Sequence, residues 1–140
     1  MTQSTTERDL IGSWELINWI STKDGKFNTH PMGEDVVGQL IYTAEGRMSG
    51  FLMRSDFKDQ NPRTPASSAI CLSYGGIYHV VGNEVVHDVI MSTIPEWIGG
   101  PLIRTMVWQA DNLLLKTEPQ KAKDGKFYSN ELQWKRLTKP

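Results

Sequence analysis

His87 is the residue best suited here to exchange a proton near neutral pH, because an unperturbed imidazole changes charge in the physiological range. Its neighbours can be placed by register. Gly82-Asn83 reads as a two-residue hairpin turn, since both residue types tolerate the positive φ of a primed turn. Counting outward sets Val80 opposite Val85, Tyr78 opposite His87, Gly76 opposite Val89 and Tyr74 opposite Met91. Strand side chains alternate, so these eight share one face. An imidazole, two phenols and a thioether among valines, with a glycine that leaves space, describe the wall of a small-molecule cavity. Tyr78 is placed to orient His87 or share its proton, as a general acid/base pair requires.

Arg104 completes the expected catalytic set. It shares a strand face with Leu102, Met106 and Trp108. A guanidinium on an apolar face must pair with a carboxylate or meet an anion. Glu34 and Glu96 are candidate partners, as is a ligand carboxylate, enolate or phenolate. Tyr42 and Tyr74 offer further phenols to a ligand oxygen, and Met48, Met53, Met91 and Met106 suit an adaptable apolar lining. Trp97, on a loop rich in Pro and Gly, reads as a lid, and Trp108 and Trp134 add aromatic wall. His30 and His79 stand apart; His79 lies on the face opposite His87 and is expected to be exposed. Three scattered histidines and a single cysteine do not make a metal site, which needs three or four convergent ligands.

The elements that must position these groups are short strands. Residues 1–9 read as a flexible tail or one helical turn, and 12–22 as the first strand, rich in aromatic and β-branched residues. Lys23-Asp24-Gly25-Lys26 is a turn, and the pentapeptide Lys-Asp-Gly-Lys-Phe recurs at 123–127 as repeated turn chemistry. Residues 37–43 form a strand, and Ala44-Glu45-Gly46 a three-residue hairpin that pairs Tyr42 with Met48, Leu40 with Gly50 and Gly38 with Leu52. The even-numbered set is expected inside. Residues 54–65 form the longest loop and 66–71 one short helix. The segment 94–101 holds two prolines and two glycines, which exclude a regular strand and fold Trp97 over something apolar. Strands 102–110 and 113–118 turn over Asp111-Asn112, with Trp108 opposite Leu115 and Met106 opposite Thr117, and 128–137 is the last strand.

Eight or nine strands joined by tight turns close most simply as an all-β, up-and-down antiparallel barrel, because closure removes the unpaired edges. A β-sandwich is the competing arrangement. A barrel of about eight strands holds one small ligand. A net charge of −1 gives no field for nucleic acid. No apolar run approaches the roughly 20 residues of a membrane span, and the polar first residues carry no signal-peptide core. A cytoplasmic protein is therefore expected. No Gly-rich phosphate loop and no nucleophile elbow occurs, so no nucleotide or other cofactor is expected.

Ordered segments along nearly the whole chain carry a resemblance. They are Leu10-Ile11-Gly12-Ser13-Trp14-Glu15-Leu16, Pro31-Met32-Gly33-Glu34-Asp35, Gly38 to Ser49, Leu52-Met53-Arg54, Tyr74-Gly75-Gly76-Ile77-Tyr78, Val85-Val86-His87, Trp97-Ile98-Gly99 and Arg104. Together they resemble the bacterial and fungal lipocalin-like domain family. The resemblance implies one calyx-like barrel domain over residues 10–140, with Gly12-Ser13-Trp14 closing it and Arg136 lying across the Trp14 face. Such barrels serve as carriers and as cofactor-free cyclases and isomerases, so fold leaves function open.

Three functions fit these readings. The first is binding of a small, largely apolar, aromatic or polyketide-like molecule in the cavity. The second is a cofactor-free isomerase, cyclase or lyase in the same cavity, with His87 as acid/base and Arg104 steadying an oxyanion. The third is an interaction module that docks through the loop around Trp97. The expected partner is a small lipophilic molecule, and a second copy of the chain is a further candidate.

Overall fold

The computed structural model describes residues 5–61, 63 and 67–137. Its strands are β1 (Gly12–Lys23), β2 (Lys26–Thr29), β3 (Val37–Tyr42), β4 (Arg47–Met53) and β5 (Cys71–Val81). They continue as β6 (Glu84–Ser92), β7 (Pro101–Gln109), β8 (Asn112–Lys116), β9 (Gln120–Lys121) and β10 (Phe127–Arg136). Hydrogen-bonded neighbours run β1-β3-β4-β5-β6-β7-β8-β10, and β10 pairs back onto β1. This is a closed antiparallel barrel of eight strands, with β2 and β9 as short additions. Closure of one continuous sheet excludes the sandwich.

Turn chemistry explains much of the register. In the β3–β4 hairpin Gly46 takes φ +87°, Thr43 N–H donates to the Arg47 carbonyl, and Tyr42, Leu40 and Gly38 face Met48, Gly50 and Leu52. Leu40, Tyr42, Met48 and Leu52 are buried, as alternation requires. Gly82 takes φ +61° at the β5–β6 turn, and Val80 faces Val85 and Tyr78 faces His87.

Two registers differ from the expectation. A β-bulge on β6 places Gly75 opposite Met91 and Tyr74 opposite Ser92, leaving Ile90 as the extra residue. Met91 is therefore turned outward, 59% exposed, and does not line the interior. Gly76 does not open cavity space either. A Cβ there would clash with the Asp88 carbonyl oxygen, so glycine is needed for the close approach of β5 and β6 at the bulge. In the β7–β8 hairpin the turn is Ala110-Asp111, with Ala110 at φ +55°, so Trp108 faces Leu113 and Met106 faces Leu115.

The segment expected as a short helix contains one turn, in which the Ile70 and Cys71 N–H groups both donate to the Ser67 carbonyl; Ala66 lies outside the described residues. The 54–65 loop contains a 3₁₀ turn, Phe57–Asp59, and both its prolines lie outside the described residues. Near the start of the chain one helical turn, α1 (Glu7–Leu10), follows Thr6; residues 1–4 lie outside the description.

α1 plugs one end of the barrel. The Val80 N–H donates to Glu7 at 2.9 Å, the Trp108 indole to Thr5 at 2.9 Å and the Trp14 indole to the Leu10 carbonyl at 2.9 Å. Arg136 lies over the Trp14 ring at 4.2 Å, a cation–π contact worth about 0.5–2 kcal/mol. Its guanidinium also donates to the Ile11 carbonyl at 2.7 Å and to the Asp9 carbonyl. Gly12, at φ +130°, makes room for it, because a Cβ would sit 3.1 Å from Nη1. Below this plug Trp14, Tyr42, Val85 and Leu113 are packed solid.

Candidate functional site

The opposite end is hollow. A cavity of about 410 Å³ lies within the barrel there. Its wall is largely apolar, with Leu40, Leu52, Leu115 and Leu132 supplied by four strands. Indoles from Trp19 on β1, Trp134 on β10 and Trp97 on the 3₁₀ turn Pro95–Trp97 border it. Loops complete the mouth: Pro31 and Met32 on one side, Ser68 and Ala69 on another, Ile94 and Trp97 on the third. Trp97 stands edge-on to Tyr74, centroids 5.5 Å apart at 87°. Ile94 and Trp97 of this loop thus border the cavity, while Pro95, Glu96, Ile98 and Gly99 are exposed.

His87 lies at the boundary between the solid and hollow halves, 1% exposed. Both ring nitrogens are engaged: Nε2 with the Tyr42 hydroxyl at 2.7 Å and Nδ1 with the Tyr74 hydroxyl at 2.8 Å. Burial, reinforced by the charge of Arg104, holds its pKa down to about 3. The expectation of an imidazole titrating near physiological pH is thereby corrected. Burial pushes the Tyr42 phenol well above its ordinary value and raises Tyr74, with Arg104 opposing the shift in both. All three groups are neutral at physiological pH.

Tyr78, paired with His87 along the backbone, does not bond to it. Its hydroxyl donates to the Thr43 carbonyl at 2.8 Å and its ring meets Tyr42 edge-on at 4.7 Å. It belongs to the solid half and is not part of the cavity wall. This corrects its expected pairing, because cross-strand neighbours share a face while their polar tips can point to different ends of the barrel.

Arg104 lines the cavity, half-buried, and no carboxylate of the described residues lies within 4.0 Å of it. Its guanidinium makes one hydrogen bond among them, to the adjacent Ile103 carbonyl at 3.1 Å. Glu34 and Glu96 therefore do not pair with it. The Trp134 indole N–H is buried with no hydrogen-bond partner among the described residues. Asn130 and Thr117 add polar edge; the Asn130 side-chain oxygen Oδ1 accepts from the Trp19 indole at 3.0 Å.

Among the expected site residues, the structure brings His87, Arg104, Tyr74, Trp97 and Trp134 to one cavity. Tyr42 touches it only through His87, and Met48 and Met106 are buried in the solid half. Met53 borders a shallow outer depression with Phe51 and Leu137. Trp108, 37% exposed, packs on Trp14 at the plugged end, centroids 6.0 Å apart. Trp19, Met32 and Asn130 lie outside the expected set: alternation from Trp14 and Leu16 turns Trp19 outward, the β-bulge between Leu16 and Asn18 brings it inside, and nothing local marks a loop methionine as wall. Among the described residues no three His, Cys, Asp or Glu side chains converge on a metal position. His79 sits outside, 3.5 Å from Asp88.

The lipocalin-like domain signature matches residues 11–137, nearly the full length. The chain belongs to the lipocalin-like domain family. A closed barrel plugged at one end and hollow at the other is consistent with that membership and with a capacity for small-molecule binding. No curated protein matches the chain. No helix among the described residues is long and apolar enough to cross a membrane.

Proposed function

We propose that this lipocalin-like protein binds a small, largely apolar molecule, aromatic or polyketide-like, whose anionic or carbonyl oxygen meets Arg104. The observation that carries the reading is Arg104 itself, a cation bordering a Trp- and Leu-lined cavity with no carboxylate partner among the described residues. A cation so placed is stabilised by an anion that arrives with the ligand. Apolar burial supplies the bulk of the affinity: hiding about 250 Å² of ligand surface contributes about 6 kcal/mol before the costs of association. As part of the same proposal the protein works in the cytoplasm, where its lone Cys71 needs no disulfide partner.

Two fluorescent probes test this. 1-Anilinonaphthalene-8-sulfonate and N-phenyl-1-naphthylamine share an aromatic body and differ in the sulfonate. Both are expected to bind and quench tryptophan emission. Arg104→Gln weakens the sulfonate probe about tenfold, some 1.4 kcal/mol, and leaves the neutral one nearly unchanged. Absence of binding by either probe contradicts the proposal.

The second reading, a cofactor-free isomerase, cyclase or lyase, is favoured by one observation. The Tyr74 hydroxyl, held by His87, borders the same cavity as Arg104, so the two are suited to steady a developing enolate oxygen. With His87 held neutral, the imidazole acts in this reading as a positioning group. A Tyr74→Phe protein that still binds a substrate but converts it at least a hundredfold more slowly supports catalysis; unchanged turnover contradicts it.

A further inference from the structure

The two hydrogen bonds of His87 determine which phenol has a proton to spare. A neutral imidazole has one N–H donor and one bare acceptor nitrogen, so only two arrangements satisfy both contacts. In one, the Tyr42 O–H donates to Nε2 and the Nδ1–H donates to the Tyr74 oxygen. In the other, the Tyr74 O–H donates to Nδ1 and the Nε2–H donates to the Tyr42 oxygen.

They differ in the hydroxyl proton left over. The second arrangement leaves the Tyr42 proton without an acceptor, for its hydroxyl meets only His87 among the described residues and the side chain is almost wholly buried against Tyr78. A buried unmet donor disfavours that arrangement by about tenfold or more. The first arrangement leaves the Tyr74 proton free on a residue that lines the cavity. The imidazolium, which would donate to both phenols, is excluded at physiological pH by burial and by Arg104.

We propose that Tyr42 fixes His87 as the Nδ1–H tautomer, so that Tyr74 offers its hydroxyl proton into the cavity and selects ligands with an oxygen acceptor there. The inference rests on the binding reading and narrows its ligand class: the anchoring group is a carbonyl, enolate or carboxylate oxygen. Tyr74 accepts from Nδ1–H while it donates, which polarises its O–H and strengthens the bond it offers. Arg104, on the same cavity wall, favours the same acceptor. A ligand group that can only donate finds two donors facing it.

Two measurements test the proposal. Long-range ¹H–¹⁵N spectra of histidine-labelled native protein at pH 7 are expected to show His87 protonated at Nδ1 and bare at Nε2. Finding Nε2 protonated overturns the assignment without any variant having to fold. The second measurement displaces N-phenyl-1-naphthylamine with 2-acetonaphthone and with 2-ethylnaphthalene, which differ in the carbonyl oxygen. The ketone-to-hydrocarbon affinity ratio is expected to fall about tenfold on Tyr74→Phe. An unchanged ratio overturns the role of Tyr74 while leaving the cavity reading intact. Failure of N-phenyl-1-naphthylamine to bind native protein overturns the cavity reading, and this inference with it.

Discussion

The two halves of this barrel are built from the same strands and differ in whether their polar groups are used up. In the plugged half each is spent: Trp14 N–H on the Leu10 carbonyl, Tyr78 on the Thr43 carbonyl, Arg136 on Trp14 and two carbonyls. In the hollow half Arg104 has no carboxylate and Trp134 N–H no partner among the described residues. β1 supplies Trp14 to one half and Trp19 to the other, and β7 supplies Met106 and Arg104 in the same way. Stability resides in the first half and ligand capacity in the second. Tyr42, His87 and Tyr74 form the seam between them.

This contrast can be broken by mutation, and the largest effect belongs to the plugged half. Trp14→Ala removes a fully buried indole and is expected to cost about 3–5 kcal/mol in urea unfolding, whereas Trp19→Ala, already facing empty space, costs less than about 2. Equal losses would erase the distinction. Next is pH. The His87 pKa is lower in the folded chain, about 3, than the ordinary 6.5. The unfolded chain therefore binds the extra proton first, so stability is complete above about pH 6.5 and declines as pH falls toward 3. The slope approaches about 1.4 kcal/mol per pH unit within that window, and His87→Asn is expected to flatten the part above pH 4.5. Arg136→Met, which keeps the stem and loses the charge, costs about 1–3 kcal/mol and leaves probe binding unchanged. The smallest effect is at the mouth: Trp97→Ala weakens N-phenyl-1-naphthylamine severalfold with little change in the urea midpoint.

What the sequence makes legible follows the same division. Local turn chemistry sets the β3–β4 register through Gly46 and the outer part of β5–β6 through Gly82, and alternation then identifies Leu40, Tyr42, Met48 and Leu52 as interior. The β7–β8 register shifts because Ala110, a residue with no marked preference for positive φ, takes the place in the turn that Asn112 suggests. The bulge that turns Met91 outward depends on how closely β5 and β6 approach at Gly76, which strand counting does not contain. The site was half visible for a related reason. Adjacent pairing nominated Tyr78 for His87, yet the phenol on Nε2 comes from β3, two strands away from β5 around the closed sheet. Met32, on a loop, joins the wall only because the chain returns over the barrel mouth.

The five tryptophans divide between the halves, Trp14 and Trp108 at the plug and Trp19, Trp97 and Trp134 around the cavity. Their indole N–H signals, followed in ¹H–¹⁵N correlation spectra during titration with 1-anilinonaphthalene-8-sulfonate, report directly on where a ligand sits. The signals of Trp19, Trp97 and Trp134 are expected to move saturably while those of Trp14 and Trp108 stay in place. Movement confined to Trp108, or no saturable movement at the three cavity indoles, would contradict a ligand-holding hollow in this barrel.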